Sequence, residues 1–354
     1  MTRFWSERTR KIQPYVPGEQ PLDKKYIKLN TNENPYPPSP AVKEAIVSNV
    51  SELSLYPDPA CTALKELIAQ KESLNIEEVF IGNGSDEVLA FSFMAFFDPD
   101  STILFPEITY SFYPVYSSLF NINYNLISVK DDFTFHRSDF FQENDGIIFP
   151  NPNAPTGIYL TLDNIEKILA RNRGSLVIVD EAYIDFADDH SAVDLIKNYD
   201  NLLVVRTFSK SRSLAGLRVG YALGQPSLIE GLDRIKNSIN SYTIDRLALA
   251  GAQAALRDED YYKKIISRII RTRDDTAEKL KECGFKVLPT RSNFLFVSHP
   301  DYNAEALFYD LKEKGILLRY FNQDKINNYL RISVGSTEDM SRFLRVIQEL
   351  LEGF

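Results

Sequence analysis

Cysteine, histidine and tryptophan are scarce, since the 354 residues include two cysteines, three histidines and one tryptophan. Cys61 and Cys283 stand far apart in the sequence, so the chain offers neither a disulfide framework nor a cysteine zinc site. His136, His190 and His299 are isolated from one another, which argues against a histidine-rich metal site. We therefore expect no bound metal ion.

Long apolar runs are also lacking. None approaches the roughly 18 residues that a membrane-spanning helix requires, and the N-terminus has no apolar signal-peptide core. With 40 Lys and Arg against 49 Asp and Glu, the formal net charge is −9, which disfavours binding to nucleic acid or to an anionic membrane. Hydrophobic residues make up 44% and charged residues 25%, as in ordinary globular proteins. We expect a cytoplasmic protein that binds small molecules.

Short apolar runs alternate with amphipathic segments from about residue 29 to about residue 240, a pattern typical of an α/β domain. Several runs are apolar throughout, which predicts a large, mostly parallel sheet with helices on both faces. The predicted strands are residues 79–81, 102–105, 146–149, 176–179, 202–206 and 219–223. The helices predicted between them include residues 85–97, 110–119 and 162–170.

The pattern changes after residue 240. The elements predicted there are a long helix at residues 246–283, strands at 293–297, 317–320 and 329–334, and a final helix at 337–351. They indicate a smaller α+β domain. Prolines and a glycine in the first 28 residues predict an extended arm. We therefore divide the chain into an arm (residues 1–28), a large domain (29–240) and a small C-terminal domain (241–354).

A glycine-containing turn, residues 82–86 (Gly-Asn-Gly-Ser-Asp), follows a predicted strand and opens a predicted helix. Its backbone N–H groups and the helix dipole favour an anion. The alternative is a plain strand-to-helix turn in which Ser85 or Asp86 is the N-cap. Taken alone, this segment favours the plain turn.

A second segment, residues 177–183 (Val-Ile-Val-Asp-Glu-Ala-Tyr), places Asp180 at the carboxyl end of an apolar strand, where open α/β sheets bind ligands. A carboxylate desolvated there requires a cation or an N–H donor, and a protonated heterocyclic nitrogen would serve. A buried Asp180 that caps the following helix is an equally good interpretation of this segment.

A third segment, residues 205–218, places Lys210 after another strand, among small and hydroxyl residues. A lysine can form a Schiff base once burial and neighbouring cations, here Arg212 and Arg218, depress its pKa. The alternative is a basic surface loop. That alternative is weakened because an anion-binding turn, a carboxylate and a lysine all follow strands of one sheet.

Three motifs occur in order along the chain: residues 151–157 (Asn-Pro-Asn-Ala-Pro-Thr-Gly), 180–183 (Asp-Glu-Ala-Tyr) and 209–212 (Ser-Lys-Ser-Arg). In sequence and spacing they resemble the motifs of fold-type I aminotransferases that use pyridoxal 5′-phosphate. Further segments are similar to those of the histidinol-phosphate aminotransferases within that family: residues 14–19 (Pro-Tyr-Val-Pro-Gly-Glu), 29–35 (Leu-Asn-Thr-Asn-Glu-Asn-Pro) and 329–335 (Tyr-Leu-Arg-Ile-Ser-Val-Gly). The resemblance covers essentially the whole chain.

The resemblance implies that Lys210 holds the cofactor as a Schiff base and moves a proton between the substrate Cα and the cofactor. Asp180 would pair with the pyridinium nitrogen, which keeps the ring electron-withdrawing. Tyr183 and Asn153 would hydrogen-bond the phenolate oxygen of the ring, and Tyr110 would stack on its face. Many relatives have Asn-Pro-Thr-Gly, whereas here an alanine follows Asn153; counting back from Asp180 still places the contact on Asn153.

The cofactor phosphate is expected at one end of the same site. The residues implied are Gly84, Ser85 and Asp86 at a helix N-terminus, Thr207, Ser209 and Arg218 in the same chain, and Tyr56 from a second subunit. The role of Tyr56 implies a homodimer with two shared active sites.

On the substrate side, the resemblance makes Arg331 the anion-binding arginine. Arg319 and Tyr15 would complete a site for a phosphate dianion, which guanidinium groups hold well. A solvated charge at Arg319 and simple packing of Tyr15 are the alternative interpretations.

The implied reaction is a ping-pong transamination of histidine biosynthesis. L-Histidinol phosphate and 2-oxoglutarate would give imidazole-acetol phosphate and L-glutamate. Threonine-phosphate decarboxylases and aromatic amino acid aminotransferases share the core motifs and stay open as alternatives. A cofactor-binding regulator without turnover is a more distant one.

Overall fold

The computed structural model describes residues 3–21, 23–187 and 190–352. The helices are Glu7–Lys11 (α1), Pro40–Asn49 (α2), Thr62–Glu72 (α3), Gly84–Phe96 (α4), Phe112–Phe120 (α5), Leu162–Arg171 (α6), Pro226–Ile239 (α7), Arg246–Arg257 (α8), Glu259–Glu282 (α9), Ala304–Glu313 (α10) and Thr337–Glu352 (α11). The strands are Ile27–Lys28 (β1), Val79–Gly82 (β2), Thr102–Pro106 (β3), Asn123–Ile127 (β4), Gly146–Pro150 (β5), Leu176–Asp180 (β6), Leu202–Thr207 (β7), Gly220–Gly224 (β8), Lys286–Val287 (β9), Phe294–Ser298 (β10), Ile316–Leu317 (β11), Arg319–Tyr320 (β12) and Leu330–Ser333 (β13). Within these ranges, no helix is both long and apolar enough to cross a membrane.

The large sheet has seven strands in the order β2-β8-β7-β6-β5-β3-β4. The neighbours β7, β6, β5, β3 and β4 all pair in parallel, in that order. Strand β8 is antiparallel to both β7 and β2. All six strands predicted for the first part of the chain are present, with bounds within one residue of those expected. The prediction of a mostly parallel sheet is therefore confirmed.

Two apolar layers cover the faces of this sheet. In β6, Val177 and Val179 pack on one face with residues of α2, α3, α6 and α8. Ile178, between them, packs on the other face with residues of α4, α5 and α7. Because both faces are buried, consecutive positions of the central strands are apolar, as in the first four residues of β6 and of β7. This is the expected α/β arrangement of fold-type I.

A four-stranded antiparallel sheet, in the order β12-β13-β10-β9, lies in the C-terminal part of the chain. Its apolar side chains form a separate cluster with those of α9, α10 and α11. A short parallel pair joins β1 to β11, so the end of the N-terminal arm is hydrogen-bonded to this region. The division of the chain at residues 28 and 240 stays a prediction.

Two predicted elements of the C-terminal part were wrong. The single helix expected at residues 246–283 is two helices, because Asp258 leaves the helical conformation (φ −100°, ψ 53°) between α8 and α9. The single strand expected at residues 317–320 is divided, since Leu317 pairs with β1 whereas Arg319 pairs with β13.

The sequence predicted an extended arm, but part of the arm is helical. It contains α1, a five-residue helix whose N-cap is Ser6. The Ser6 hydroxyl accepts a hydrogen bond from the Thr9 backbone N–H (3.2 Å) and so satisfies a free donor of the first turn. Beyond α1, residues 12–21 form no helix or strand.

The edge of the large sheet where the parallel strands end gathers the chemically important residues. The carboxyl ends of β5, β6 and β7 are neighbours there, with Pro150 paired to Asp180 and Asp180 to Val205. Two antiparallel pairings separate β2 from β7, so β2 runs in the same direction and ends at the same edge. The N-terminus of α4, at Gly84, therefore lies beside the carboxyl ends of β6 and β7.

Candidate active site

A cavity of about 310 Å³ lies at this edge of the sheet. Its wall includes most of the residues predicted for the site, from the large sheet, the small sheet and the N-terminal arm. Asp180 enters this wall from the large sheet, whereas Arg319 and Arg331 enter it from the small sheet.

Asp180, the last residue of β6, is 4% exposed and lies in the cavity wall. Its Oδ2 accepts a hydrogen bond from the Tyr113 hydroxyl (3.1 Å), and its Oδ1 accepts one from the Ala182 backbone N–H (3.2 Å). Burial raises the pKa of Asp180 to about 7, against the effect of both hydrogen bonds. A carboxylate in this position is well suited to a positively charged ring nitrogen, which would restore its ionised form.

Lys210 lies in the same wall, and its ammonium group donates to the Thr31 backbone carbonyl (3.0 Å). Desolvation and the nearby charge of Arg331 lower the pKa of Lys210 to about 8, although Glu33 and Asp86 act in the opposite direction. An amine with this pKa is neutral far more often near pH 7 than an ordinary lysine, so it can attack a carbonyl carbon.

The N-terminus of α4 forms a closely packed anion site. Gly84 has a φ of +78°, and a Cβ there would lie 2.5 Å from a terminal nitrogen of Arg218. A Cβ at Gly220, on the adjacent β8, would clash with the Ser85 backbone nitrogen. The two glycines thus let the backbone N–H groups and a guanidinium approach one small volume, as binding of a phosphate requires.

Hydroxyl and charged side chains complete this end of the cavity. Thr207 and Ser209, at the end of β7, hydrogen-bond to each other through their hydroxyls (3.0 Å). One oxygen of Asp86 accepts from Arg218 (2.8 Å), and the other accepts from the Tyr110 hydroxyl (2.9 Å). The structure therefore brings together the predicted group of residues at this end.

Tyr183 and Asn153, the two residues predicted to contact the phenolate oxygen of the cofactor, have different surroundings. The Tyr183 hydroxyl accepts a hydrogen bond from the Asn32 side-chain amide (3.0 Å), and Tyr183 lines the cavity. Both donors of the Asn153 amide are engaged, with the Ile108 carbonyl (3.1 Å) and the Thr156 hydroxyl (2.9 Å). The neighbouring Ala154, rather than Asn153, is in the cavity wall. The role of Asn153 stays a prediction.

At the opposite end, Arg331 on β13 donates from Nη2 to the Asn30 backbone carbonyl (2.9 Å). Its Nε is buried and has no hydrogen-bond partner in the described part of the chain. Burial and the charge of Arg319 both lower the pKa of Arg331. Arg331 also lines the cavity, where its cationic guanidinium is suited to an anionic group.

Arg319 connects the small sheet to the arm. Its guanidinium donates to the backbone carbonyls of Val16 (3.1 Å) and Pro17 (3.3 Å). The preceding arm residue, Tyr15, is stacked on Phe112 with ring centroids 4.2 Å apart, and it lines the cavity together with Arg319. The arm therefore forms part of the wall at the arginine end.

Tyr56 is the predicted residue that lies away from the cavity of its own chain. It is 79% exposed, and its ring is stacked on Tyr242 with centroids 4.6 Å apart. Neither the position nor the exposure of Tyr56 in one chain tests its role in a second subunit.

Several residues with clear positions in the site were not predicted. Thr31, Asn32 and Glu33 line the cavity, and they belong to the segment at residues 29–35 that supported the resemblance without any assigned role. Tyr113 follows Tyr110 by three residues, and this helical spacing would have placed the two on one face. Its contact with Asp180 was not foreseeable without knowing how α5 packs.

Comparison with known proteins shows the family of this chain. The family model for aminotransferases of class I and II matches residues 24–347. A histidinol-phosphate aminotransferase of Clostridium acetobutylicum is 56% identical over 352 residues, which is 99% of this chain and 100% of that protein. Another, of Brachyspira hyodysenteriae, is 54% identical over 353 residues, again 99% of this chain and 100% of that protein.

The fold also matches that of solved structures. The histidinol-phosphate aminotransferase of Sinorhizobium meliloti, in complex with pyridoxal 5′-phosphate, superposes with a TM-score of 0.91 at 22% identity, covering 100% of this chain and 99% of that one. At this identity the likeness shows the fold alone. From the family model and the relatives above 50% identity, the chain belongs to the pyridoxal-phosphate-dependent aminotransferases of class I and II, within the group of histidinol-phosphate aminotransferases.

Proposed function

We propose that this chain transfers the amino group of L-histidinol phosphate to 2-oxoglutarate, giving imidazole-acetol phosphate and L-glutamate in histidine biosynthesis. The observation that carries the proposal is that Lys210, the buried carboxylate of Asp180 and the guanidinium of Arg331 line one cavity. The near full-length relationship to histidinol-phosphate aminotransferases supports the choice of substrate.

The residues of this chain fit pyridoxal 5′-phosphate. Asp180 is buried and has only two hydrogen-bond donors among the described residues, so it can take a further donor. The glycine-containing turn at Gly84 leaves no room for a Cβ, as expected where backbone approaches a phosphate. When bound, the cofactor supplies an electron-withdrawing ring that stabilises negative charge on the substrate Cα.

Lys210 has two tasks in this proposal. Its neutral amine would hold the cofactor in the resting enzyme. When it is not holding the cofactor, the Lys210 amine would act as the acid-base group that takes the proton from the substrate Cα and gives it back later in the reaction. The lowered pKa of Lys210, about 8, keeps a substantial neutral fraction near physiological pH.

Arg331 binds an anion in both half-reactions. In the first the anion is the phosphate of histidinol phosphate, and in the second it is the distal carboxylate of 2-oxoglutarate. Arg331 lines the cavity, and its guanidinium has N–H groups beyond the one that bonds to Asn30, so it can donate to either anion. Arg319 and Tyr15 add donors that a phosphate dianion uses more fully than a carboxylate does.

The proposal also includes a homodimer. Tyr56 lies in an exposed apolar stretch together with Leu53 (55% exposed) and Leu55 (62% exposed). Apolar side chains that cluster on a surface favour association. In a symmetric dimer we expect Tyr56 of each subunit to reach the phosphate in the other active site.

The experiment that tests the proposed reaction compares three amino donors with 2-oxoglutarate as acceptor. L-Histidinol phosphate should have the highest kcat/KM, ahead of L-phenylalanine and L-threonine phosphate. A preference for L-phenylalanine would favour an aromatic aminotransferase. Release of carbon dioxide from L-threonine phosphate without amino transfer would favour a decarboxylase.

A further inference from the structure

Three tyrosines stand at intervals of three residues: Tyr110, two residues before α5, and Tyr113 and Tyr116 within it. The hydroxyls of Tyr110 and Tyr116 both bond to Asp86, the first to its carboxylate (2.9 Å) and the second to its backbone carbonyl (2.9 Å). The hydroxyl between them, that of Tyr113, donates instead to Asp180 (3.1 Å). The three tyrosines therefore contact both Asp86, in the first turn of α4, and the buried carboxylate of Asp180.

Tyr113 is the most enclosed of the three. It is 0% exposed, and the edges of its ring pack against Tyr110 (centroids 5.8 Å apart, 87° between planes) and Phe105 (5.9 Å, 66°). These contacts fix the ring, so its hydroxyl has one direction in which to donate. Burial and the charge of Asp180 raise the pKa of Tyr113 well above its ordinary value, so the proton stays on the phenol.

The contact matters because Asp180 has little else to stabilise its charge. Burial raises the pKa of this carboxyl, and the nearby Asp86 and Glu181 raise it further. The two groups that act in the opposite direction are the Tyr113 hydroxyl and the Ala182 backbone N–H. The first of these can be removed by substitution, whereas the second belongs to the backbone.

We infer that Tyr113 is a positioning residue, which holds the Asp180 carboxylate ionised and oriented toward the ring nitrogen of the cofactor. The inference rests on the proposed function in one respect, namely that a pyridine ring lies against Asp180. Tyr113 itself does not touch the reacting atoms. Its effect should therefore depend on the presence of the ring nitrogen, whereas a purely structural role would not.

The test uses the cofactor-free full-length protein and two ligands, pyridoxal 5′-phosphate and its carbon analogue with C–H in place of the ring nitrogen. Absorbance titration gives the dissociation constant of each. Wild type should bind the natural cofactor more tightly than the analogue. In Tyr113→Phe this preference should fall by roughly tenfold, the value of one hydrogen bond to a charged group, with affinity for the analogue nearly unchanged.

Two matched variants make the outcome specific. Tyr116→Phe removes a hydroxyl one turn further along α5 and should leave the preference unchanged, whatever it does to both affinities. Asp180→Asn should abolish the preference. The inference would be overturned if Tyr113→Phe weakened the binding of both ligands equally. It would also be overturned if Tyr113→Phe kept the wild-type preference while Asp180→Asn lost it. Either outcome would leave the proposed function intact. A wild-type preference retained in Asp180→Asn would instead contradict the proposed site.

Discussion

The two ends of the cavity are built differently. At the cofactor end, Asp180 ends β6, Ser209 follows β7 and the N-terminus of α4 follows β2, and all three strands belong to one sheet. At the substrate end, Arg331 bonds to Asn30, 301 residues away in the sequence, and Arg319 bonds to Val16, 303 residues away.

From this difference we expect one group of residues to determine the reaction type and another to determine the substrate. The large sheet, which forms the proposed cofactor end, is buried on both faces, and we propose that residues at its edge determine the reaction type. The substrate end is assembled from the small sheet and a ten-residue stretch of arm without helix or strand, 12–21. We therefore expect substitutions at the cofactor end to affect every substrate alike, and substitutions at the arm to discriminate between substrates.

The largest effect should come from Lys210→Ala. No other described lysine lines the cavity, so the variant should lose both the absorption band of the covalently bound cofactor and all turnover. The absorption spectrum and a steady-state assay check this. Normal turnover by the variant would remove Lys210 from the mechanism.

The rate of covalent cofactor attachment should depend strongly on pH. Only the neutral amine of Lys210 attacks the aldehyde, so the rate should rise about tenfold per pH unit below the pKa of about 8 and level off above it. Stopped-flow absorbance after mixing the cofactor-free protein with pyridoxal 5′-phosphate measures it. A rate that keeps rising toward pH 10 would show that the pKa of Lys210 is not lowered.

Tyr56 allows a test of shared active sites. Tyr56→Ala and Lys210→Ala proteins, each with little activity, are mixed under conditions that allow subunit exchange. Half of the dimers should become hybrids with one intact site of two, so about a quarter of wild-type activity should return. If exchange is verified by labelled subunits and no activity returns, Tyr56 acts within its own chain.

The smallest effects are expected at Tyr15, on the arm, and at Arg319, which lies on β12 and bonds to the arm. Arg319→Ala should reduce kcat/KM for L-histidinol phosphate by about tenfold and Tyr15→Phe by about fivefold, with much less change in KM for 2-oxoglutarate. The reason is that a phosphate dianion has more oxygen atoms to satisfy than a carboxylate. Equal losses for both substrates would show that the arm does not discriminate between them.

The cofactor end could be predicted from sequence because its residues lie in three short segments that each follow a strand. Their proximity then follows from the topology of a parallel sheet. Tyr113 and Asn32 were missed for the opposite reason. Their partners, Asp180 and Tyr183, are 67 and 151 residues away, and such contacts depend on packing that periodicity does not reveal.

The same limit explains the errors in the fold. Nothing in the sequence periodicity marks Asp258 as the break between α8 and α9. The division of β11 from β12 depends on the pairing of Leu317 with Lys28, which is distant in the sequence. The large sheet was predicted closely because its strands are buried on both faces. The dimer, the cytoplasmic location and the boundaries of the domains stay predictions.

Arg331 provides the most direct test of the whole account, since it is the residue that both substrates are expected to share. The measurement is single-turnover absorbance of Arg331→Ala in each half-reaction separately, together with its affinity for pyridoxal 5′-phosphate. We expect rates with L-histidinol phosphate and with 2-oxoglutarate to fall together by roughly 10- to 100-fold, while cofactor affinity stays near that of wild type. A loss confined to 2-oxoglutarate would mean that the substrate phosphate is held elsewhere, and would contradict the account.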